Sequence, residues 1–326
     1  MIDTQFPVVQ PALFESLDDI QAAALGLLVN SGQSTSPRGM NTLEVLGAGF
    51  CLRNPRKRCV TVSARRWSLP LAIGEFCWHA SGSDDVSPLE YYSRRWRAFA
   101  DDASRIRGSC YGHTLFQKVQ AGRSQWDRIV DVLREDPDSR RAIAMLASPT
   151  ADADLTARDV ACATSVQFFV RDHKLSALTN MRSNDAIWGL PYDVFLFTML
   201  QELLAVTLNL DVGAYYHLVG SLHVYERHLE LAKRILTDSG DPAFEMPPMR
   251  GVEQLASFLS GEEEIRRAAT PPASPGRLLD PYWQNLWDVI SWFSQWRVGR
   301  ASEQPSGGGA RESPYAGLLK NLMVEA

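Results

Sequence analysis

The chain lacks the features that mark a membrane, secreted or metal-binding protein. It has 326 residues and no run of 18 or more apolar ones, which speaks against a membrane span. Its start, "MIDTQFPVVQPALFESLDD", has no basic region followed by an apolar stretch, so no secretory signal is expected. Cysteine is scarce: Cys51, Cys59, Cys77, Cys110 and Cys162 are odd in number, scattered and without CxxC spacing. That argues against a disulfide framework and a zinc site, and for a reducing, cytoplasmic setting. There is no excess of positive charge. The net charge of -5 gives no general reason to expect nucleic acid or a membrane surface as partner, yet permits a local basic pocket for one phosphate. No internal repeat is visible.

What is there suits an ordinary globular protein. The chain is 45% hydrophobic and 22% charged, enough for a large core. Helical periodicity is expected over residues 12–30, 69–82 ("LPLAIGEFCWHASG"), 124–136 and 194–210, the last long and apolar. Strands are expected at "TLEVLGAGFCL", "RCVTVSAR", "RAIAML", "TSVQFFVRD", "KLSALTNM" and "AYYHLVGSLHVY", with "RDHK" as a hairpin turn. After about residue 239 the character changes. Proline-rich and glycine-rich segments ("TPPASPG", "EQPSGGGARESP") separate helical patterns. The expectation is an α+β catalytic domain over residues 1–238, with a helical extension over 239–326 packed on the same domain.

The chemistry concentrates in a few blocks. Cys162 sits in "RDVACATSVQFFV". A lone cysteine is usually a small buried hydrophobe. Here Arg140 and Arg141 lie upstream in "PDSRRAI", and Arg182 and Ser183 lie downstream in "MRSND". Three arginines and a serine can clamp a phosphate, and cations near a thiol lower its pKa. Glu75 stands in an otherwise apolar run, "LAIGEFCW". His223 and Tyr225 alternate in "SLHVY" and so share one strand face. "RSNDAIWGLPYDVF" places Asp185 and Asp193 around an apolar, aromatic stretch, where a carboxylate is costly unless something meets it.

Together "PDSRRAI", Cys162 with Gln167 five residues on, "RSNDAIWGLPYDVF" and "HLVGSLHVYERH" resemble the thymidylate synthase family in order, identity and spacing. "SPRGMNTLEVLG" resembles its phosphate loop, "IGEFCWHASG" its glutamate-bearing helix and "GSCYG" a short turn. The resemblance covers about residues 13 to 238 and not the last quarter. It implies an enzyme that builds a carbon on C5 of a pyrimidine nucleoside monophosphate, with 5,10-methylenetetrahydrofolate as co-substrate. Cys162 would add to C6 of the ring and Glu75 would move protons. Arg38, Arg182 and Ser183 would hold the phosphate, with Arg140 and Arg141 reaching over from the second subunit of a homodimer. His223 and Tyr225 would meet the sugar, and Gln167 would sit near the nucleotide behind the cysteine. Asp185, Trp188, Gly189 and Tyr192 would form the folate and base wall. Trp96 and Phe99 would be a folate-side aromatic pair.

Three departures from the family pattern stand out. Ala161 and Ala163 flank the cysteine where proline and histidine are usual, Asn184 separates Ser183 from Asp185, and Asp193 replaces an asparagine. An amide complements uracil, giving to O4 and taking from N3–H. A carboxylate instead accepts from the N4 amino group of cytosine. Asp193 therefore resembles the mark of the family's cytosine branch, the deoxycytidylate and cytidylate hydroxymethylases, in which water rather than hydride completes the reaction. The expected product is 5-hydroxymethyl-dCMP with tetrahydrofolate. CMP hydroxymethylation, thymidylate synthesis from dUMP and a silent nucleotide-binding homologue are the alternatives.

Overall fold

A computed structural model describes residues 10–100, 104–118, 122–147, 157–238, 240, 244–268, 280–299 and 314–323. Along the chain the elements are β1 (Ala12–Phe14), α1 (Leu17–Ser31), β2 (Gln33–Thr35), β3 (Thr42–Leu52), α2 (Leu69–Ala80), α3 (Ser87–Tyr92), α4 (Tyr111–Phe116) and α5 (Gln125–Glu135). There follow β4 (Ile143–Met145), β5 (Ala163–Arg171), β6 (Lys174–Asp185), α6 (Gly189–Thr207), β7 (Asp211–Tyr225) and α7 (Leu229–Thr237). α8 (Leu255–Arg267), α9 (Pro281–Arg297) and α10 (Ala316–Met323) complete the described elements.

The expected α+β class is the observed one. A mixed sheet runs in the order β1-β3-β7-β6-β5-β4, with β2 paired to β3. β6 pairs with β7 and β1 with β3 in parallel, while the β3–β7, β2–β3, β5–β6 and β4–β5 pairs are antiparallel. The β5–β6 hairpin turns at Asp172 and His173, both with positive φ, as a tight two-residue turn that follows the sheet twist requires. α6 packs on β6 and β7. It is long and apolar enough to cross a membrane, but it lies inside this core with most of its residues buried.

Two expectations are corrected. The helix foreseen over 12–30 begins at Leu17, because Ser16 and Asp19 form a capping box, while Ala12–Phe14 pairs with β3 instead. "RCVTVSAR" is not a strand. Its alternation serves a buried loop: Asp18 accepts from the Thr61 amide and hydroxyl, Arg65 Nε donates to the Ile187 carbonyl at 2.9 Å, and Arg58 is fully buried.

Arg58 pairs with Glu202 of α6, whose other oxygen accepts from the Met249 amide at 2.9 Å. This joins the loop, the central helix and the segment leading to α8. α8 and α9 pack on α2, with Phe258, Trp283 and Trp287 in the common core. The proline-rich and glycine-rich segments lie largely outside the described residues. Breaking one half of a buried ion pair leaves an uncompensated charge. Glu202→Ala is expected to cost about 3–5 kcal/mol of stability. The double change Arg58→Met with Glu202→Leu should recover most of it in urea unfolding.

Candidate active site

β6, α6 and β7 bring their polar ends together. The parallel register sets Ser183 beside Ser221, Asn184 beside Leu222 and Asp185 beside His223. Ser183 Oγ lies 3.5 Å from His223 Nδ1, and the His223 and Tyr225 rings meet edge to face at 5.3 Å. Asp185 Oδ1 accepts from the Ile187 and Trp188 amides, closing the turn into α6. Trp188 then carries two guanidiniums over its ring, Arg65 at 4.4 Å and Arg95 at 4.3 Å. Tyr192 accepts from the Ser68 amide, which ties α6 to the start of α2.

Cys162 lies just before β5 and is the most exposed of the five cysteines, the other four being buried. Arg182 grips its loop: Nε and Nη2 donate to the Ala161 and Val160 carbonyls at 2.8 and 2.9 Å, and Nη2 lies 3.7 Å from Cys162 Sγ. Behind it, the Ala163 amide donates to Tyr111 Oη. The "GSCYG" turn packs against the same loop. Asp159 accepts from the Gly108 amide, and a Cβ at Gly108 would lie 2.5 Å from the Ala161 nitrogen, so only glycine fits. Asp159 and Tyr111 are two positioning residues that sequence patterns did not single out. A carboxylate three residues before the cysteine was the available signal.

The expected lowering of the thiol pKa does not result. Burial pushes Cys162 up to about 11, and Arg182 and Arg38 pull it down less than burial, Asp193 and Asp159 raise it. Glu75, buried on α2, is pushed up to about 8 by burial and then by Asp193, against the hydrogen bond it accepts from Trp96 Nε1 at 3.1 Å. Asp193 opens partly onto the same space and is pushed up to about 7 by burial, against a hydrogen bond from Asn184. Near neutral pH the pocket thus holds a protonated thiol, a largely protonated Glu75 and an Asp193 close to half protonation, suited to passing protons.

Those shifts set a sign for stability. A carboxyl whose folded pKa is raised takes up protons more readily in the folded state. Stability is therefore complete below the unfolded pKa near 4.5 and is lost as pH rises through about 8 for Glu75. Asp193 acts likewise between 3.8 and about 7. Glu75→Gln is expected to raise the Tm by roughly 3 °C or more at pH 8.5, a gain that fades toward pH 4. A gain of equal size at both pH values would contradict this electrostatic origin.

Arg38 occupies an exposed turn with φ 53°, a left-handed conformation that a non-glycine residue adopts at some cost. Its charge acts on both Cys162 and Tyr225. Asp185 acts on Tyr225 as well. Trp96 reaches Glu75 as well as Phe99, whose ring centroid is 5.6 Å away. Three expected site residues are elsewhere in this chain. Arg140 and Arg141 are exposed beside β4. Gln167 donates to the Arg140 carbonyl at 2.9 Å and lies on the sheet face of Phe169 and Leu178. Its side chain thus fixes the arginine segment instead of approaching the cysteine from behind. Among the described residues no group of histidine, cysteine and carboxylate side chains could hold a metal ion.

Residues 24–260 match the family model described as thymidylate synthase. The chain belongs to the thymidylate synthase family. Among its relatives, a deoxyuridylate hydroxymethyltransferase of Bacillus phage SP01 is 28% identical over 211 residues, 62% of this chain and 55% of the phage protein. The chain thus matches little more than half the length of that relative. A thymidylate synthase of Francisella philomiragia is 27% identical over 215 residues, 62% of this chain and 77% of that one. A thymidylate synthase of Buchnera aphidicola is 29% identical over 213 residues, 64% and 79% of the two chains.

Proposed function

We propose that this protein transfers a one-carbon unit from 5,10-methylenetetrahydrofolate to C5 of a cytosine nucleotide, with dCMP favoured over CMP, and that water completes the reaction. The observation that carries the base assignment is Asp193 at the position where the family places an amide. In the neutral form it offers an O–H to cytosine N3 and an oxygen to the N4 amino group. In the charged form it accepts from N4–H and repels the lone pairs of uracil O4.

In this scheme Cys162 adds to C6 once its proton has left, and C5 becomes the nucleophile. Asp193 neutralises the charge that develops toward N3. Glu75, protonated near neutrality, hands protons to and from C5 and the folate leaving group. Arg38, Arg182 and Ser183 meet the phosphate, and His223 with Tyr225 the sugar. Trp188, Gly189, Tyr192 and Asp185 line the folate side.

The phage relative supports hydration as one outcome available to this family, since its name gives it a hydroxymethyl product. That name also gives it deoxyuridylate, so product type and base choice are separate properties. A second reading, action on dUMP, draws on the same relative and on the near-neutral pKa of Asp193. Incubation with methylenetetrahydrofolate and dCMP, CMP or dUMP, followed by identification of both products, decides between them. Hydroxymethyl-dCMP with tetrahydrofolate is expected. dTMP with dihydrofolate, or product from dUMP alone, overturns the proposal.

We further propose a homodimer. Among the described residues the sheet face opposite α6 is uncovered: Pro11, Phe169, Leu178 and Leu218 line a recess of about 560 Å³, and Leu46 is 73% exposed. Arg140 and Arg141 stand exposed at its β4 end, and in the proposed dimer they reach the second copy's site. Sedimentation should give twice the chain mass, and a monomer at micromolar concentration would contradict it.

A further inference from the structure

Asp193 does not stand alone beneath its ligand. Asn184 Nδ2 donates to Asp193 Oδ2 at 2.7 Å, His217 Nε2 lies 2.9 Å from Asn184 Oδ1, and Tyr215 Oη lies 2.9 Å from His217 Nδ1. Asn184, His217 and Tyr215 are all buried. Gly189 gives this chain its room. A Cβ there would lie 2.8 Å from Asn184 Nδ2 and 3.4 Å from Asp193 Oδ2.

The polarity of the chain follows from its chemistry. Burial pushes His217 down to about 3, so the ring is neutral and carries one N–H. Asn184 Oδ1 only accepts, so that N–H is on Nε2. Nδ1 must then accept, and the Tyr215 hydroxyl donates. Every bond points toward Asp193, and its Oδ2 is held as an acceptor.

We propose that Tyr215, His217 and Asn184 form a one-way hydrogen-bond chain that keeps the proton of Asp193 off Oδ2, and that this fixed arrangement makes base selection stringent. The proposal rests on Asp193 being the base-reading residue. A carboxyl group with its proton free to sit on either oxygen offers donor and acceptor in both orders. It can match cytosine (N3 acceptor, N4 donor) or uracil (N3 donor, O4 acceptor). A carboxyl group whose proton is confined to Oδ1 offers one order and matches one base. Around Asp193 the other titratable groups are Glu75 from α2, Tyr111 from α4, Cys162 before β5 and Tyr215 from β7. None of them bonds to Asp193 in this arrangement, which leaves Asn184 to decide the proton's place.

The test is the ratio of kcat/KM for the best cytosine nucleotide over dUMP. His217→Phe removes the donor to Asn184 and should lower that ratio about tenfold, the worth of one misplaced buried hydrogen bond. His217→Gln keeps an N–H donor and should restore most of it. A lesion that only loosens packing would lower both nucleotides alike and leave the ratio unchanged, which would overturn the proposal. Should His217→Phe not fold, Asn184→Leu makes the same break at similar volume, with the same expected loss. Asp193→Asn serves as the reference. If it shifts base preference while the His217 and Asn184 variants keep the wild-type ratio, the chain has no role and Asp193 keeps its own. If Asp193→Asn itself leaves preference unchanged, the base-reading assignment fails, and the chain proposal with it.

Discussion

Cys162→Ala abolishes turnover, lowering kcat by about 10⁴-fold or more, while the nucleotide still binds. The size follows from the chemistry proposed for the thiol. Without addition at C6, C5 of a pyrimidine is not nucleophilic enough to attack the one-carbon unit, and no other group near the ring can replace a sulfur nucleophile. Binding survives because the phosphate and sugar contacts assigned to Arg38, Arg182, Ser183, His223 and Tyr225 do not involve sulfur.

The same residue gives a second readout. The other four cysteines are buried, so iodoacetamide under native conditions should label Cys162 first and leave the alanine variant unlabelled. With the thiol pushed up to about 11, labelling should climb through pH 9 and 10 without a plateau. A plateau near pH 7 would mean that the arginines prevail over burial. Full activity in the alanine variant would remove the covalent mechanism altogether.

Much of this was legible in the sequence because the chemistry uses side chains at short, fixed spacings. The Arg-Ser-x-Asp block, the His-x-Tyr pair and Cys162 ahead of a strand meet in three dimensions, Arg182 beside Cys162 and Ser183 beside His223. Regular elements with strong periodicity, such as β3 and α2, were equally plain. What stayed hidden depends on pairing across the chain. "RCVTVSAR" alternates like a strand, yet its alternation buries Arg58 against Glu202 and Arg65 against the Ile187 carbonyl. Both partners are more than a hundred residues away. Gln167 counted correctly from the cysteine, but strand alternation turned it toward Arg140. Asn184 looked like a neutral departure until the β6–α6 turn set it against Asp193. His217 opens the "HLVGSLHVYERH" block but had no role of its own there, since a strand histidine is most often a packed one. Net thiol pKa was beyond reach for the same reason. Neighbouring arginines are visible in sequence, whereas the burial that outweighs them is a property of the fold.

Asp193→Asn should move base preference from cytosine toward uracil by about 10- to 100-fold in kcat/KM. The hydrogen-bond chain beneath the residue must follow the exchange. Asn184 Nδ2 now donates to Asp193 Oδ2, and the Asn184 amide and the His217 tautomer can reverse together, so that Asn184 Oδ1 accepts from the new NH2. The carbonyl oxygen of the asparagine then takes the Oδ1 position opposite N3, with its NH2 opposite O4. That is the order uracil needs, and it leaves N3 of cytosine facing a carbonyl oxygen and its N4 amino group facing another N–H. Mispairing of one buried polar contact costs about 1–3 kcal/mol, which sets the lower part of the range. Charge changes in the same direction for both bases. Asp193 raises the pKa of Glu75 and of Cys162, so its neutral replacement should lower both. Alkylation of Cys162 would then begin at lower pH in the variant, whichever nucleotide is present. The two readouts separate the roles of the carboxyl group. A shift in alkylation with no shift in base preference would leave Asp193 as a purely electrostatic neighbour of the thiol and end its assignment as the residue that reads the base.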